Sequence, residues 1–273
     1  MMDTTPIQVQ PGKKDRRAAT WLALASAVTA VAAAVISGVQ VHVASEQNIA
    51  AEQQELLALT TDIAQQFAQQ QANIRQAAGN LTGQERTMAI SAANIAMTTH
   101  LVAEGQAGAV LITKLHGNGV VGMEYIQVGR ALAMGDETTE TIAFYKAAMD
   151  APPRAAGTRA TALRYLASLY YDLGQPVTGH DYNMKAVRVY GGHRELSRFK
   201  THNGMAQSYL VDAKAQLRLG GCKIAAADMA AARRTLSVSG VSGQTSTNKG
   251  LYRANVVAYG KRCAAGPGLT SGP

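Results

Sequence analysis

The chain has 273 residues, 47% hydrophobic and 16% charged, with a formal net charge of +8. That apolar content excludes a disordered tail protein, and two cysteines exclude a cysteine-rich secreted scaffold and any four-thiolate zinc site. Aromatic residues make up 5% and alanine is abundant, a balance that favours helices over strands.

The basic charge is concentrated first at the N-terminus. Residues 1–17 carry Lys13, Lys14, Arg16 and Arg17, and no charged residue then appears before Glu46. The apolar stretch 18–41 is long enough to span a bilayer, because a helix of about 20 residues crosses the hydrocarbon layer. Basic residues precede it and an acidic residue comes first after it, which places 1–17 in the cytoplasm and the rest of the chain outside. Trp21 falls where an interfacial anchor sits. A cleaved signal peptide is the competing reading, but its apolar core runs only about 7–15 residues. Ala30, Ala34 and Gly38 recur four apart. In lipid such small residues admit a partner helix, although an alanine-rich helix also produces the spacing by chance.

Residues 42–120 read as a helical stalk region. Between Ser45 and Ala78 there is no Pro or Gly, and Ile49, Leu56, Leu59, Ile63, Phe67 and Ile74 recur at helical spacing. Ile49, Leu56 and Ile63 keep a heptad that Gln70 interrupts. The stalk therefore either pairs with a second copy or packs on its own chain. Gly79-Asn80 breaks it, and a second helix is expected over Thr82–Ala103, with Thr82 and Glu85 at capping-box spacing.

Internal repetition begins at about residue 121. Tyr125, Val128, Gly129, Leu132, Tyr145, Ala148 and Pro153 stand at the spacing of the tetratricopeptide signature, with Tyr for its Trp and Thr141 for its helix-B alanine. Leu163, Leu166, Ala167, Tyr170, Gly174 and Ala186 form a second unit. Tyr209, Ala213, Gly220, Ala225, Met229 and Ala232 form a weaker third, whose register Gly220-Gly221 leaves open by one residue. Residues 121–235 thus resemble tetratricopeptide repeats. Large residues on one helix facing small ones on the next are what a stacked array of helix pairs requires. Residues 236–264 read as a Ser/Gly/Thr loop and a capping helix over Lys249–Cys263, and 265–273 as a disordered tail. An antiparallel hairpin of two similar arms, one leaving Cys222 and one returning to Cys263, brings the two cysteines together in a disulfide-permitting compartment. Two isolated small core residues are the alternative.

The expected fold class is therefore all-α: a membrane helix, a long amphipathic stalk helix, and an antiparallel helix-pair array with a C-terminal cap. Catalytic signals are poor. Gly117-Asn118-Gly119-Val120-Val121-Gly122 matches GxGxxG after the strand-like Ala109–Leu115, but no second parallel strand follows, so it reads as a loop. The six histidines show no metal-ligand spacing, and no nucleophile elbow, HExxH or Walker loop occurs. The expectation is a protein without enzymatic activity, metal or cofactor, and the outside orientation removes nucleic acid as a partner.

The resemblance implies a groove lined by the first helix of each pair: Met123, Ile126, Arg130 and Ala133, then Arg164, Ser168, Tyr171 and Asp172, then Leu210, Lys214 and Leu217. Arg130, Arg164 and Lys214 would form a basic row beside Tyr171, suited to an acidic segment or a chain-terminal carboxylate of a protein partner. The expected function is a single-pass, membrane-anchored extracytoplasmic adaptor. The alternative is a structural subunit, or homo-oligomer, assembled through the membrane helix and stalk; a sensor or an envelope enzyme are more distant readings.

Overall fold

The computed structural model describes residues 46–70, 72–74, 76, 79, 81–192, 196–239 and 245–263. The chain divides into two compact units, Met1–Glu52 and Gln53–Pro273. In the first, the described residues 46–52 are helical and largely exposed. The expected cytoplasmic tail 1–17, the membrane helix 18–41 with Ala30, Ala34 and Gly38, and the tail 265–273 lie outside the described residues.

Among the described residues of the second unit every element is a helix. These are α1 (53–70), α2 (Gly83–Lys114), α3 (Gly122–Ala133), α4 (Thr138–Asp150) and α5 (Ala156–Asp172), followed by α6 (Pro176–Gly192), α7 (Arg198–Arg218), α8 (Cys222–Ser239) and α9 (Thr245–Arg262). From α2 onward each helix packs on the next, and α3, α5, α7 and α9 also touch in that order.

Sequence dictates how closely the helices approach. A Cβ at Gly108 of α2 would stand 2.6 Å from Val128 of α3, and one at Gly129 of α3 would stand 2.8 Å from the Tyr145 ring of α4. The same fit recurs where Gly179 of α6 takes Tyr171 of α5, and where Gly204 of α7 takes Tyr190 of α6. Each pair closes because one partner has no side chain at the point of contact.

The stalk residues belong to this array. Leu56 is buried with Leu111, Ile112, Leu115, Val120, Val128 and Leu132, and Ile63 with Leu101 and Ala131. The heptad of Leu56 and Ile63 is thus an intramolecular seam. The second helix extends well past Ala103, to Lys114, because Gly105 and Gly108 serve close packing on α3 and do not break it. Ala109–Leu115 accordingly lies in a helix and its C-cap, not a strand. Thr82 is the N-cap, but its side chain makes no cap hydrogen bond. A comparable contact forms at α3, where the Val121 N–H donates to the Glu124 carboxylate at 2.8 Å. Among the described residues α2 is also the one helix long and apolar enough to cross a membrane; its C-terminal half buries Leu101, Leu111 and Ile112 in the array.

At the other end α9 runs parallel to α7. Asn248 donates to the Asn203 side chain at 2.6 Å, Asn255 to the Leu210 carbonyl at 2.8 Å, and Arg262 to the Leu217 carbonyl at 2.9 Å. These steps repeat every seven residues on both helices, so the two stay in register over their length. The loop expected over Ser237–Asn248 is helical at both ends, since α8 continues to Ser239 and α9 starts at Thr245. Anchoring of Asn248 on Asn203 overrides the weak helix propensity of its Ser/Thr neighbours. Tyr252 closes the apolar cluster of Leu210, Leu217 and Met229.

Truncating Leu56 to Ala removes a side chain buried against α2 and α3, and we expect a loss of about 2–5 kcal/mol in urea unfolding. A loss below about 1 kcal/mol would mean that α1 does not pack on the array.

Candidate functional site

A groove of about 400 Å³ opens between α1, α3, α4 and α5, lined by residues that include Phe67, Arg130, Tyr145, Tyr165, Ser168 and Asp172. The Arg130 guanidinium lies 3.8 Å from the Phe67 ring centroid and 5.2 Å from that of Tyr165, a cation held between two aromatic faces. Gln127 accepts from it at 3.0 Å, which fixes its rotamer. Tyr165 stacks on Tyr145 at 5.5 Å. Burial pushes the Tyr145 hydroxyl well above its ordinary range, so it is a neutral donor. Asp136 and Asp172 add negative charge to the same lining.

The residues expected on one concave face divide among several environments. Arg130 and Ser168 share the groove. Arg164 instead donates to Gln207 of α7 at 2.6 Å, and Lys214 is exposed. Tyr171, expected to flank the basic row, is buried with Ala167 and Ala215 at the α5–α7 contact. Ile126, Leu210 and Leu217 are core residues as well. The reason is common to all of them: α3, α5, α7 and α9 touch one another, so positions facing the next of these helices are sealed.

Sequence reasoning missed a second constellation. Asp212 of α7 and Asp228 of α8 are buried, and Tyr171 donates its hydroxyl hydrogen bond to Asp212 Oδ1. His180 Nδ1 of α6 lies 2.6 Å from Asp212 Oδ2. Gln216 also bonds Asp212, and the two carboxylates share a hydrogen bond. Asp228 Oδ2 is buried without a hydrogen-bond partner. Burial, and then the neighbouring Asp228 carboxylate, raises the proton affinity of Asp212; burial raises that of Asp228. The members come from four helices, so no local spacing announces them. The available signal was an acid inside each apolar stripe: Asp212 beside Leu210 and Ala213, Asp228 between Ala225 and Met229. A cluster of similar composition, Asp62, His100 and Glu104, lies nearer the surface, with Gln66 bonded to Glu104 at 3.1 Å.

The GxGxxG segment is the turn between α2 and α3, with left-handed backbone at Gly117 and Gly119. No strand stands on either side of it. Cys222 and Cys263 are joined in a disulfide with Cα atoms 5.8 Å apart, tying the start of α8 to the end of α9. Compared with protein-family models, curated proteins and solved structures, the chain matches none.

The disulfide closes a loop with a sequence separation of 41, which on chain-entropy grounds stabilises by roughly 3–4 kcal/mol. Cys222→Ser should lower the urea midpoint accordingly. Tyr171→Phe leaves Asp212 Oδ1 without its hydroxyl donor, and we expect a cost of about 1–3 kcal/mol by the same measurement.

Proposed function

We propose that this chain is a membrane-anchored, extracytoplasmic interaction protein that receives a partner segment in the groove between α1, α3, α4 and α5. The observation that carries the reading is Arg130, a guanidinium held between Phe67 and Tyr165 at an accessible groove. A fixed, partly desolvated guanidinium flanked by aromatic faces is a common anchor for a carboxylate. Ser168 lines the same groove with a hydroxyl. The membrane anchor is the segment 18–41, with 1–17 cytoplasmic. The tetratricopeptide resemblance draws support from the succession of helix pairs, α3/α4, α5/α6 and α7/α8, and from the contacts among α3, α5 and α7. Binding rests on shape and charge, without catalysis.

A specific observation favours a second reading, assembly through α1 and α2. Large apolar side chains are exposed on these two helices: Leu57, Met88, Ile95 at 65% exposure, and Val110. In the groove only Leu173 is both large, apolar and exposed.

Photocrosslinking the full chain in intact cells from Ser168, and separately from Ile95, distinguishes the two. The groove reading expects one dominant protein attached from Ser168 and lost, by about tenfold or more, on Arg130→Glu. Attachment only from Ile95, unaffected by Arg130→Glu, would reject the groove and establish the second reading.

A further inference from the structure

We infer that His180, Asp212 and Asp228 form a site for one divalent transition-metal cation in the seam of α6, α7 and α8, with Tyr171 and Gln216 orienting the Asp212 carboxylate. One ligand atom from each of the three residues lies within 4.8 Å of the other two. The donor set is one imidazole nitrogen and two carboxylate oxygens. That mixture suits zinc, manganese or ferrous iron better than calcium or magnesium, which take all-oxygen shells. Three protein ligands leave a fourth position for water.

Charge gives the first reason. Asp212 is 0% exposed and Asp228 5%. The charged and polar groups that act on the pair are each other, His180, Gln216 and the Tyr171 hydroxyl, with Tyr209 near Asp228; no Lys or Arg is among them. Two facing carboxylates buried in this way must be neutralised, by protons or by a cation. Asp228 Oδ2 supplies a second reason, because it is a buried acceptor with no hydrogen-bond partner. Buried acceptors in native cores are nearly always satisfied, and a cation in the seam would give this oxygen the partner it lacks.

The surroundings resemble a prepared ligand shell. Asp212 Oδ1 is occupied by Tyr171 and Oδ2 faces His180 Nδ1. Metal-bound carboxylates are commonly held this way by hydrogen bonds from outside the coordination sphere. Each ligand comes from a separate helix whose position is fixed by packing elsewhere. The His180 side chain, 35% exposed, gives an entry path from solvent. His180 Nδ1 and Asp212 Oδ2 are 2.6 Å apart as a hydrogen-bonded pair. Tetrahedral ligands at about 2.0–2.2 Å from a cation stand about 3.3–3.6 Å from one another. Loading therefore requires the contact to open by about 0.7–1 Å and its shared proton to leave to solvent as the cation binds.

The test uses the purified full chain, stripped with chelator and titrated with Zn²⁺ by calorimetry, with thermal unfolding measured in parallel. One equivalent is expected to bind and to raise Tm by several degrees, with no comparable shift from Ca²⁺ at the same concentration. Asp228→Asn relieves the carboxylate pair, so it should fold at least as stably without metal while losing zinc affinity by about tenfold or more. His180→Ala should lose as much, and Tyr171→Phe about 10–100-fold. Asp62→Asn, in the surface cluster, should bind as the parent does. Zinc binding that survives Asp228→Asn, binding lost in Asp62→Asn, an equal shift from Ca²⁺, or no binding at all would each overturn the assignment.

Discussion

The array depends on how closely consecutive helices approach. At the α3–α4, α5–α6 and α6–α7 contacts a glycine on one helix meets a tyrosine ring from the other: Gly129 with Tyr145, Gly179 with Tyr171, Gly204 with Tyr190. A side chain at any of these glycines would overlap an aromatic ring, and rings in a packed core have no cheap way to yield. The glycines therefore fix where the tyrosines stand. Tyr145 is thereby placed to stack on Tyr165 and form one wall of the groove. Tyr171 is placed with its hydroxyl on Asp212. Backbone approach, a packing property, thus determines the polar geometry of both candidate sites.

The C-terminal end is secured differently. The last described helix, α9, is rich in polar residues. Its apolar contribution centres on Leu251, Tyr252, Val256 and Tyr259. The rest is directional: Asn255 and Arg262 donate to carbonyls of α7, whose second lone pairs are free for this purpose. The Cys222–Cys263 bond then fastens the far end. Polar side chains spaced every seven residues do for α9 what Leu56 and Ile63 do for α1.

Those contrasts explain what could be read in advance. Helical class and helix pairing were legible from the small-and-large pattern of Gly129, Tyr145, Ala167 and Ala186, because stacking imposes it directly on the sequence. The proximity of Cys222 and Cys263 followed from the lengths of two antiparallel arms. The extent of α2 did not, since Gly105 and Gly108 look like breakers until α3 is seen against them. The groove was half legible: Arg130 and Ser168 lie in it, but Tyr171, Leu210 and Leu217 face the next helix and are buried. Position within a repeat gives the face of a helix, not which part of that face a neighbour covers. The acidic cluster had no local pattern at all, because its members meet only after four helices are stacked.

That cluster interrupts the array's apolar interior between two well-formed ends. Leu56, Leu111 and Val128 pack one end, and Leu210, Met229 and Tyr252 the other. Between them α5 carries both candidate sites. Tyr165 and Ser168 belong to the groove, while Tyr171, within a turn of Ser168, reaches Asp212. Stability in a stacked array passes between neighbouring elements. The contact that seats α5 on α7 therefore also seats one wall of the groove. Any change in charge or coordination at Asp212 acts first on Tyr171, and through it on the helix that presents Tyr165 and Ser168.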